Sequence, residues 1–249
     1  NTLTYVEYEN KSFSVNSQDT NPQGVRFKSD GTKMYVVGNT GDDVMQYSLS
    51  TAWDVSTASF DSVTLDVSSE DTTPNGLAFS SDGTKLYITG NANNKVFQYD
   101  LSTAWDLSTA SYASKSLSTE GNGPIEPFMR SNGTDFYYID INDDAVYQYT
   151  LSTANDISTA SYASKSFSVA SQETTPTGLT FSSDGTKMFV CGQVGDDVNQ
   201  YTLSTAWDVS TASFDSKVFS FKGETTNPAG IDLKPDDTKL YMISNAGDA

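Results

Sequence analysis

Histidine is absent from this 249-residue chain, cysteine occurs once, and 14 basic residues stand against 32 acidic ones. The lack of histidine removes the commonest general acid or base of enzymes, and one cysteine cannot form a disulfide within the chain. The formal net charge of −18 makes nucleic acid and anionic membranes poor partners, because both carry negative charge. No apolar run approaches the ~18 residues of a membrane span, so membrane insertion is not expected. Cys191 lies in the apolar segment KMFVCG and is expected to be buried.

A five-fold internal repeat accounts for most of the sequence. Its first landmark recurs at intervals of 52, 50, 52 and 52 residues, as SDGTKMY (29–35), SDGTKLY (81–87), SNGTDFY (131–137), SDGTKMF (183–189) and PDDTKLY (235–241). The second landmark, LSTAWDVSTASF at 49–60, returns with few changes at 101–112, 151–162 and 203–214. A period of about 50 residues is typical of propellers and other repeat architectures.

Each unit contains four candidate strands separated by turn residues. In the second unit these are 76–80, 85–90, 95–100 and 111–117, and Ser-Asp-Gly-Thr joins the first two as a tight hairpin. Four antiparallel strands at this period are typical of one propeller blade. The sequence therefore predicts a single all-β domain over 1–249, a five-bladed β-propeller with four-stranded antiparallel blades, whose cores lie near 22–67, 74–117, 124–169, 176–221 and 228–249, the last closed by 1–15.

The two ends of the chain are predicted to meet in the last blade. Residues 4–15 (TYVEYENKSFSV) match 158–169 (STASYASKSFSV), the outer strand that precedes a new unit. The N-terminal segment is therefore predicted to supply the outer strand of the last blade and to close the ring, with the inner strands at 230–244. The repeat does not identify a third strand for that blade. Either residues 1–7 fill its place or the blade is thinner.

Units such as TPNGLAFSSDGTKLYITGNANNKVFQYDLST resemble the YVTN and lactonase-like propeller repeats, which share a Pro-x-Gly start, a Ser-x-Asp-Gly turn and an apolar-Tyr-Val strand. The resemblance covers nearly the whole chain. It implies the propeller fold but no single function, since such propellers include enzymes, scaffolds and adhesins. The LSTAWD connection is also similar to tandem propeller repeats of marine phage structural and tail proteins. That similarity implies an extracellular or virion-surface location.

Acidic residues concentrate in two sets of loops that the repeat assigns to one face of the ring. These are the connections between blades and the connections between second and third strands. Carboxylate and amide or backbone oxygens are the ligands that Ca²⁺ prefers, and we take Asp43, Asp144 and Asp197 as candidate metal ligands. The alternative is that these residues only initiate turns and keep an acidic protein soluble. No other cofactor is expected.

Three tryptophans recur in the long connection between third and fourth strands, and an aspartate follows each: Trp53 with Asp54, Trp105 with Asp106, and Trp207 with Asp208. An exposed indole can stack on a sugar ring while the neighbouring carboxylate accepts hydroxyl hydrogen bonds. Alternatively, the indole packs against apolar residues and fixes a long polar loop. Asn155 replaces the tryptophan in the third unit. The sequence therefore contains at most three intact copies of such a site.

The third unit departs from the repeat at Glu126, where the other units have Gly24, Gly76, Gly178 and Gly230. This position begins the innermost strand beside the axis, where crowded backbones favour glycine. We expect the Glu126 carboxylate to point toward the channel mouth as a unique binding group. The alternative is sequence drift that leaves a hydrated glutamate in a wet channel.

These features favour a non-catalytic binding module over an enzyme. Acid and base roles require unlike environments, whereas near-identical repeats supply near-identical ones. Repeated units suit multivalent binding, so the main interpretation is recognition of a glycan or cell-surface receptor by a phage-tail or adhesin-like protein. Two alternatives stay open: a structural propeller that docks other subunits of a larger assembly, and a lactonase-like metal-dependent hydrolase with an axial site at Glu126.

Overall fold

The computed structural model describes residues 7–225 and 227–245, which form 18 β-strands. The strands are β1 (Pro22–Phe27), β2 (Lys33–Gly38), β3 (Asp43–Leu49), β4 (Ala58–Asp66), β5 (Pro74–Phe79), β6 (Lys85–Gly90), β7 (Lys95–Leu101), β8 (Ala110–Ser118), β9 (Pro124–Met129), β10 (Asp135–Asp140), β11 (Ala145–Leu151), β12 (Ala160–Ser168), β13 (Pro176–Phe181), β14 (Lys187–Gly192), β15 (Asp197–Leu203), β16 (Ala212–Ser220), β17 (Pro228–Leu233) and β18 (Leu240–Ser244). Short 3-10 turns lie at Val55–Thr57, Leu107–Thr109, Ile157–Thr159 and Val209–Thr211.

The strands form antiparallel sheets that follow the repeat. The four-stranded sheets β1–β4, β5–β8, β9–β12 and β13–β16, here called blades 1 to 4, each keep the order of the sequence. β17 and β18 form a two-stranded fifth sheet. The prediction of four-stranded antiparallel blades is confirmed for four units. The prediction of five complete blades is not met among the described residues, because no third or fourth strand is paired with β18 there.

The five sheets are arranged around a central axis. The innermost strands β1, β5, β9, β13 and β17 pack against one another in that order, and β17 also packs against β1. The all-β propeller fold is therefore confirmed. Residues 7–21 form no strand, so the predicted ring closure by an N-terminal strand is not established by strand pairing. The rest of the predicted closing segment, residues 1–6, lies outside the described residues.

The Ser-Asp-Gly-Thr turns make the hairpins between first and second strands. In blade 1, Asp30 Oδ1 accepts a hydrogen bond from Thr32 N at 3.0 Å, and Gly31 has a φ of +74°. A Cβ on Gly31 would lie 2.4 Å from the indole of Trp53. Glycine is therefore required here for two reasons, the left-handed backbone and the indole that covers the turn.

Two repeated hydrogen bonds join neighbouring blades through the long loop. Tyr35 Oη, on the second strand, donates to Trp105 O of the next blade at 2.6 Å. Gln46 Oε1, on the third strand, accepts from Leu107 N at 3.0 Å. The equivalent bonds are made by Tyr87, Tyr137, Tyr241, Gln98 and Gln148. These polar side chains are buried or half-buried, so the bonds fix the position of each loop on the adjacent blade.

Apolar side chains fill the space between sheets. One cluster, for example, packs Tyr35 and Val37 of blade 1 against Leu77 and Leu86 of blade 2. Cys191 is fully buried, which confirms the prediction for it, and burial raises the pKa of its thiol to about 12. None of the helical segments in 7–225 and 227–245 is long and apolar enough to cross a membrane.

Candidate binding site on the propeller axis

A buried arginine lies among the innermost strands of the ring. Arg26, on β1, directs its guanidinium at backbone carbonyls of four innermost strands: Val25 O at 2.9 Å, Ile231 O at 2.6 Å, Pro127 O at 2.8 Å and Leu179 O at 3.4 Å. Charged donors make stronger hydrogen bonds than neutral ones. The side chain therefore ties blades 1, 3 and 4 and the fifth sheet together at the axis.

Two carboxylates lie beside this guanidinium. Glu126, on β9, is fully buried and forms an ion pair with Arg26. Asp232, on β17, accepts hydrogen bonds from Phe27 N at 2.9 Å and Leu233 N at 3.0 Å. Burial raises the pKa of both carboxyl groups, and the positive charge of Arg26 opposes that shift. The axis thus holds a compact group of one cation and two acids.

The orientation expected for Glu126 is wrong: the carboxylate is buried against Arg26 and does not reach the channel mouth. The cause is a shift of the β-bulge in β9. Ile125 pairs with Ile139 and Pro127 with Tyr138, which leaves Glu126 as the extra residue, whereas the extra residue in β1 is Gln23. A bulge re-aims its side chain, and here it turns the glutamate into the ring. A binding role for Glu126 stays a prediction.

Arg26 and Asp232 were missed by reasoning from the sequence. Both occupy the repeat position that holds Ala78, Phe128 and Thr180 in the other units. The sequence did contain a signal for them, because Arg26 is positively charged and Asp232 negatively charged at a repeat position that is uncharged in the other three units. Read together with Glu126, these departures mark three charged groups that the ring brings together.

On the face that carries the hairpin turns, a depression of about 340 Å³ opens at the axis. Arg26 and Asp232 line its inner end. Its walls combine apolar ends of innermost strands, serine residues of the turns and three indoles: Phe27, Phe79, Phe128, Phe181 and Leu233; Ser29, Ser81, Ser131 and Ser183; and Trp53, Trp105 and Trp207. The chain contains three tryptophans. All of them therefore face one shared depression.

Each indole is held by its own blade and by the preceding one. Trp53 has a φ of +66°, and its backbone N–H donates a hydrogen bond to Gly31 O at 3.0 Å. Its ring packs against Phe27, with centroids 5.6 Å apart, and against Tyr241 at 5.9 Å. Trp105 and Trp207 repeat this arrangement, and all three indoles are half-buried. The three indoles therefore pack against neighbouring aromatic rings and also line the depression.

The aspartates that follow the tryptophans cap the 3-10 turns. Asp54 Oδ1 accepts from Ser56 N at 3.2 Å and from Ser56 Oγ at 2.6 Å, and Asp106 and Asp208 make the equivalent bonds. Asp54 and Asp208 also form ion pairs with lysines, at 2.6 and 2.7 Å. These carboxylates therefore have partners within the loop, as expected of N-caps. Their suggested contact with a ligand stays a prediction.

The three candidate metal ligands do not meet. Asp43 and Asp197 begin β3 and β15, whereas Asp144 lies in the turn before β11 with a φ of +48°. Burial raises the pKa of all three carboxyl groups, and that of Asp43 reaches about 6. Across 7–225 and 227–245, no three acidic, cysteine or histidine side chains are placed to hold one metal ion. A metal function for these residues stays a prediction.

Several acidic residues of the loops between blades are structural. Asp71 is buried and accepts from Thr73 N at 2.8 Å, Ala92 N at 3.2 Å and Asn93 N at 2.9 Å, which joins the loop before β5 to the turn after β6. A Cβ on Gly90 would lie 2.3 Å from the carboxyl carbon of Asp71. Asp19 with Gly38 and Glu173 with Gly192 form the same pairs. The glycine makes room for the carboxylate.

Blade 3 contains the same pair in reverse. Gly121 occupies the repeat position of Asp71, and Asp140 occupies that of Gly90. The Asp140 carboxylate accepts from Gly123 N at 2.9 Å, Asn142 N at 2.9 Å and Asp143 N at 3.1 Å. A Cβ on Gly121 would lie 2.1 Å from Asp140 Oδ2. The carboxylate that accepts from the N–H groups of the turn can therefore come from the loop between blades, as in Asp71, or from the end of the second strand, as in Asp140. In both cases the residue opposite it is glycine.

Comparison with known proteins gives similarity of fold. No protein-family model and no curated protein matches the sequence. A candidate 6-phosphogluconolactonase from Bacteroides uniformis is 12% identical with a TM-score of 0.56, and the match covers 86% of this chain and 61% of that one. The propeller domain of Cps50 (Swd1) from Myceliophteria thermophila is 12% identical with a TM-score of 0.52, over 90% and 66%.

A chain of a nidogen/laminin complex is 13% identical with a TM-score of 0.55, over 90% of this chain and 72% of that one. The β-propeller fold is what these proteins share with this chain. This chain spans only 62%, 61% and 60% of the length of three of the structures that it matches. At such identities the matches carry the fold and no activity.

The axial residues do not fit a metal-dependent hydrolase centred on Glu126. One Glu126 oxygen already pairs with a guanidinium, so a cation there would lie next to the positive charge of Arg26. Asp232, the second carboxylate beside Arg26, accepts hydrogen bonds from two backbone N–H groups. A hard cation needs several free oxygen ligands, and this pair of acids does not supply them.

Proposed function

We propose that this chain is a non-catalytic binding propeller and that the tryptophan-lined depression is its binding site. The observation that carries the proposal is the convergence of Trp53, Trp105 and Trp207, from three different blades, on one opening of about 340 Å³. Small-molecule sites are concave, largely apolar and equipped with a few polar groups. Four turn serines and the inner Arg26 and Asp232 are the polar groups here.

The ligand class that we propose is a glycan, one or two sugar rings of which enter the depression. Indoles stack on the apolar faces of sugar rings, and hydroxyl groups exchange hydrogen bonds with serine. In this proposal the chain recognises a glycan or a cell-surface receptor as part of a phage-tail or adhesin-like protein, at an extracellular or virion surface. A net charge of −18 favours neutral or basic ligands over acidic ones.

The experiment is a broad glycan array probed with the full chain, with Ca²⁺ and with a chelator, followed by titration of each positive glycan. The informative variants are Trp53→Asn, Trp105→Asn and Trp207→Asn, singly and together. Asparagine is the residue that blade 3 carries at this position, where Asn155 has a φ of +60°. Each single variant is expected to weaken binding about three- to tenfold, the worth of one aromatic contact.

The matched control is Tyr112→Asn, which removes an exposed aromatic ring far from the axis on β8. Glycan binding should survive it. An unchanged affinity in the triple tryptophan variant, with the fold intact by circular dichroism, would exclude the depression as the site. Loss of binding only after chelation would move the site to the acidic loops.

We also propose that residues 7–15 act as the outer strand of the fifth sheet, which makes the ring a five-bladed propeller closed by its N-terminal segment. Asn10 has a φ of +55°, and the outer strands carry a similar residue at the same repeat position, Ser62, Ser114, Ser164 and Ser216. Lys11 reaches Asp54 as Lys165 reaches Asp208. Val15 O accepts from Gln18 N and Asp19 N, as Val67 O does from Glu70 N and Asp71 N.

A further inference from the structure

Cationic side chains lie over two of the indoles that line the depression. Arg130 directs its guanidinium at the Trp207 ring, with Cζ 4.7 Å from the ring centroid, and Lys234 Nζ lies 5.8 Å from the centroid of Trp53. Arg130 follows β9 and Lys234 follows β17, so each cation comes from the sheet that precedes the blade of the tryptophan. A cation within about 6 Å of an indole face is attracted to it. At these two places a cation–indole pair therefore joins neighbouring sheets beside the depression.

The repeat shows that the cation and the tryptophan occur together. The units carry either a cation or a serine at this position, and a cation is present wherever the next blade has a tryptophan. The pairs are Lys28 with Trp105, Ser80 with Asn155, Arg130 with Trp207, and Lys234 with Trp53. Ser182 precedes the fifth sheet, which has no long loop among the described residues. The correlation indicates that the charge at this position acts on the indole.

Blade 3 holds the guanidinium in a network of its own. Arg130 Nη1 donates to Asp135 Oδ2 at 2.8 Å, and Asn132 Nδ2 donates to the same oxygen at 2.7 Å. The other units have aspartate in place of Asn132 and lysine in place of Asp135. Three departures from the repeat thus fix one guanidinium. In the fifth sheet, Asp236 pairs with Lys234 at 2.6 Å.

The guanidinium adds to the contacts that surround the Trp207 ring. A Cβ on Gly185 would collide with this ring, so the backbone of the turn lies against it. Phe128 stacks on it, with centroids 6.1 Å apart and an interplanar angle of 25°. The side chain is half-buried and lines the depression. The orientation of the indole in the depression therefore depends on contacts from two blades.

We propose that Arg130 and Lys234 are positioning residues of the depression, which hold the indoles of Trp207 and Trp53 in the orientation that a bound glycan contacts. The inference rests on the proposed function of the depression, because it assigns both residues to that site. A side chain that is already ordered loses less conformational entropy when a ligand binds. The two cations therefore raise affinity through the indoles.

The test measures the order parameters of the ¹⁵N-labelled indole N–H groups by NMR relaxation, in the full chain without ligand. The variants are Arg130→Ser and Lys234→Ser, which introduce the residue that blades 2 and 4 carry at this position. In Arg130→Ser the order parameter of the Trp207 indole should fall from about 0.85 toward about 0.6, the values of rigid and flexible groups. Lys234→Ser should lower the order parameter of Trp53 alone.

Three further variants separate the charge from other effects. Arg130→Met keeps an apolar stem without the cation and should loosen Trp207 as Arg130→Ser does, whereas Arg130→Lys should keep most of the order. The control is Lys85→Ser, which breaks a surface pair with Asp100 at 3.0 Å and should leave all three indoles unchanged. The urea midpoint of Arg130→Ser should stay within about 0.5 M of the wild type.

Titration with a glycan that binds on the array gives the effect on affinity. Each serine variant should weaken binding about two- to fivefold, the worth of one exposed cation–π contact, and Arg130→Ser should add nothing to Trp207→Asn. Indole order that is unchanged in Arg130→Ser, kept in Arg130→Met or lost at all three tryptophans alike would overturn the proposal, as would unchanged affinity. The order parameters need no ligand, so an array without binding would contradict the proposed function and not the positioning of the indoles.

Discussion

Replacement of Arg26 by methionine is expected to lower the free energy of unfolding by about 3–5 kcal/mol, the cost of removing one partner of a buried ion pair. The guanidinium donates to four carbonyls and pairs with Glu126, so its loss leaves a buried carboxylate and several buried oxygens without a donor. Urea denaturation at pH 7 measures the change. The control is Lys28→Met, which breaks a surface pair with Asp30 at 2.8 Å and should cost less than about 1 kcal/mol.

The pH dependence of the same variant gives a second signature. The pKa values of Glu126 and Asp232 are raised in the folded protein, and Arg26 opposes that rise. Without Arg26 the pKa values of the Glu126 and Asp232 carboxyl groups rise further in the folded state. The folded protein then binds protons at these two groups more strongly than the unfolded chain, whose carboxyl pKa values are about 4. Stability is then fully present below about pH 4 and declines as the pH rises toward the folded pKa values. The loss in free energy of unfolding that Arg26→Met causes, relative to the wild type, should therefore be smallest near pH 4 and grow toward pH 7. If the loss in free energy of unfolding is equal at both pH values, or no larger than that of Lys28→Met, Arg26 does not stabilise the buried carboxylates of the axis.

Reversal of a glycine–carboxylate pair is expected to produce the second large effect. Asp71→Gly leaves three N–H groups of a buried turn without an acceptor and should cost about 3 kcal/mol or more. Gly90→Asp places a second carboxylate against the first and should cost a comparable amount. The double variant Asp71→Gly/Gly90→Asp reproduces the arrangement of Gly121 and Asp140. It should recover to within about 1 kcal/mol of the wild type.

The mismatched control for the pair combines Asp71→Gly with Gly192→Asp, which makes the same two substitutions in different blades. Those two sites share no hydrogen bonds, so their costs should add. Thermal or urea unfolding of the six proteins, wild type included, completes the cycle. Equal stability of the matched and mismatched double variants would show that the reversed pair in blade 3 is not a compensation.

The blade could be predicted from the sequence because local signals determine it. Positive-φ glycines in Ser-Asp-Gly-Thr, alternating strands and the fixed repeat together predicted the hairpins and the four-stranded sheets that are found. The fifth sheet could not be predicted in the same way. Among the described residues only β17 and β18 pair in it, and residues 7–15 form no strand although their sequence matches the outer strands of the other blades.

The axial site was only partly predictable, because it depends on how separate repeats meet. The sequence singled out the three tryptophans but treated them as separate sites, and their convergence follows from ring closure. It singled out Glu126 but not its partner, because Arg26 lies 100 residues away in the chain and only the ring brings them together. The acidic loops looked like a cation site, whereas Asp71 and its equivalents accept buried backbone N–H groups.

The most direct test of the proposed binding site is a titration of the ¹⁵N-labelled indole groups by NMR with a glycan that binds on the array. The chain has three tryptophans, and all three line the depression, so three indole N–H signals report on it. A single site shared by Trp53, Trp105 and Trp207 predicts that all three signals shift with one common midpoint. Three different midpoints, or binding that leaves all three signals unmoved, would contradict it.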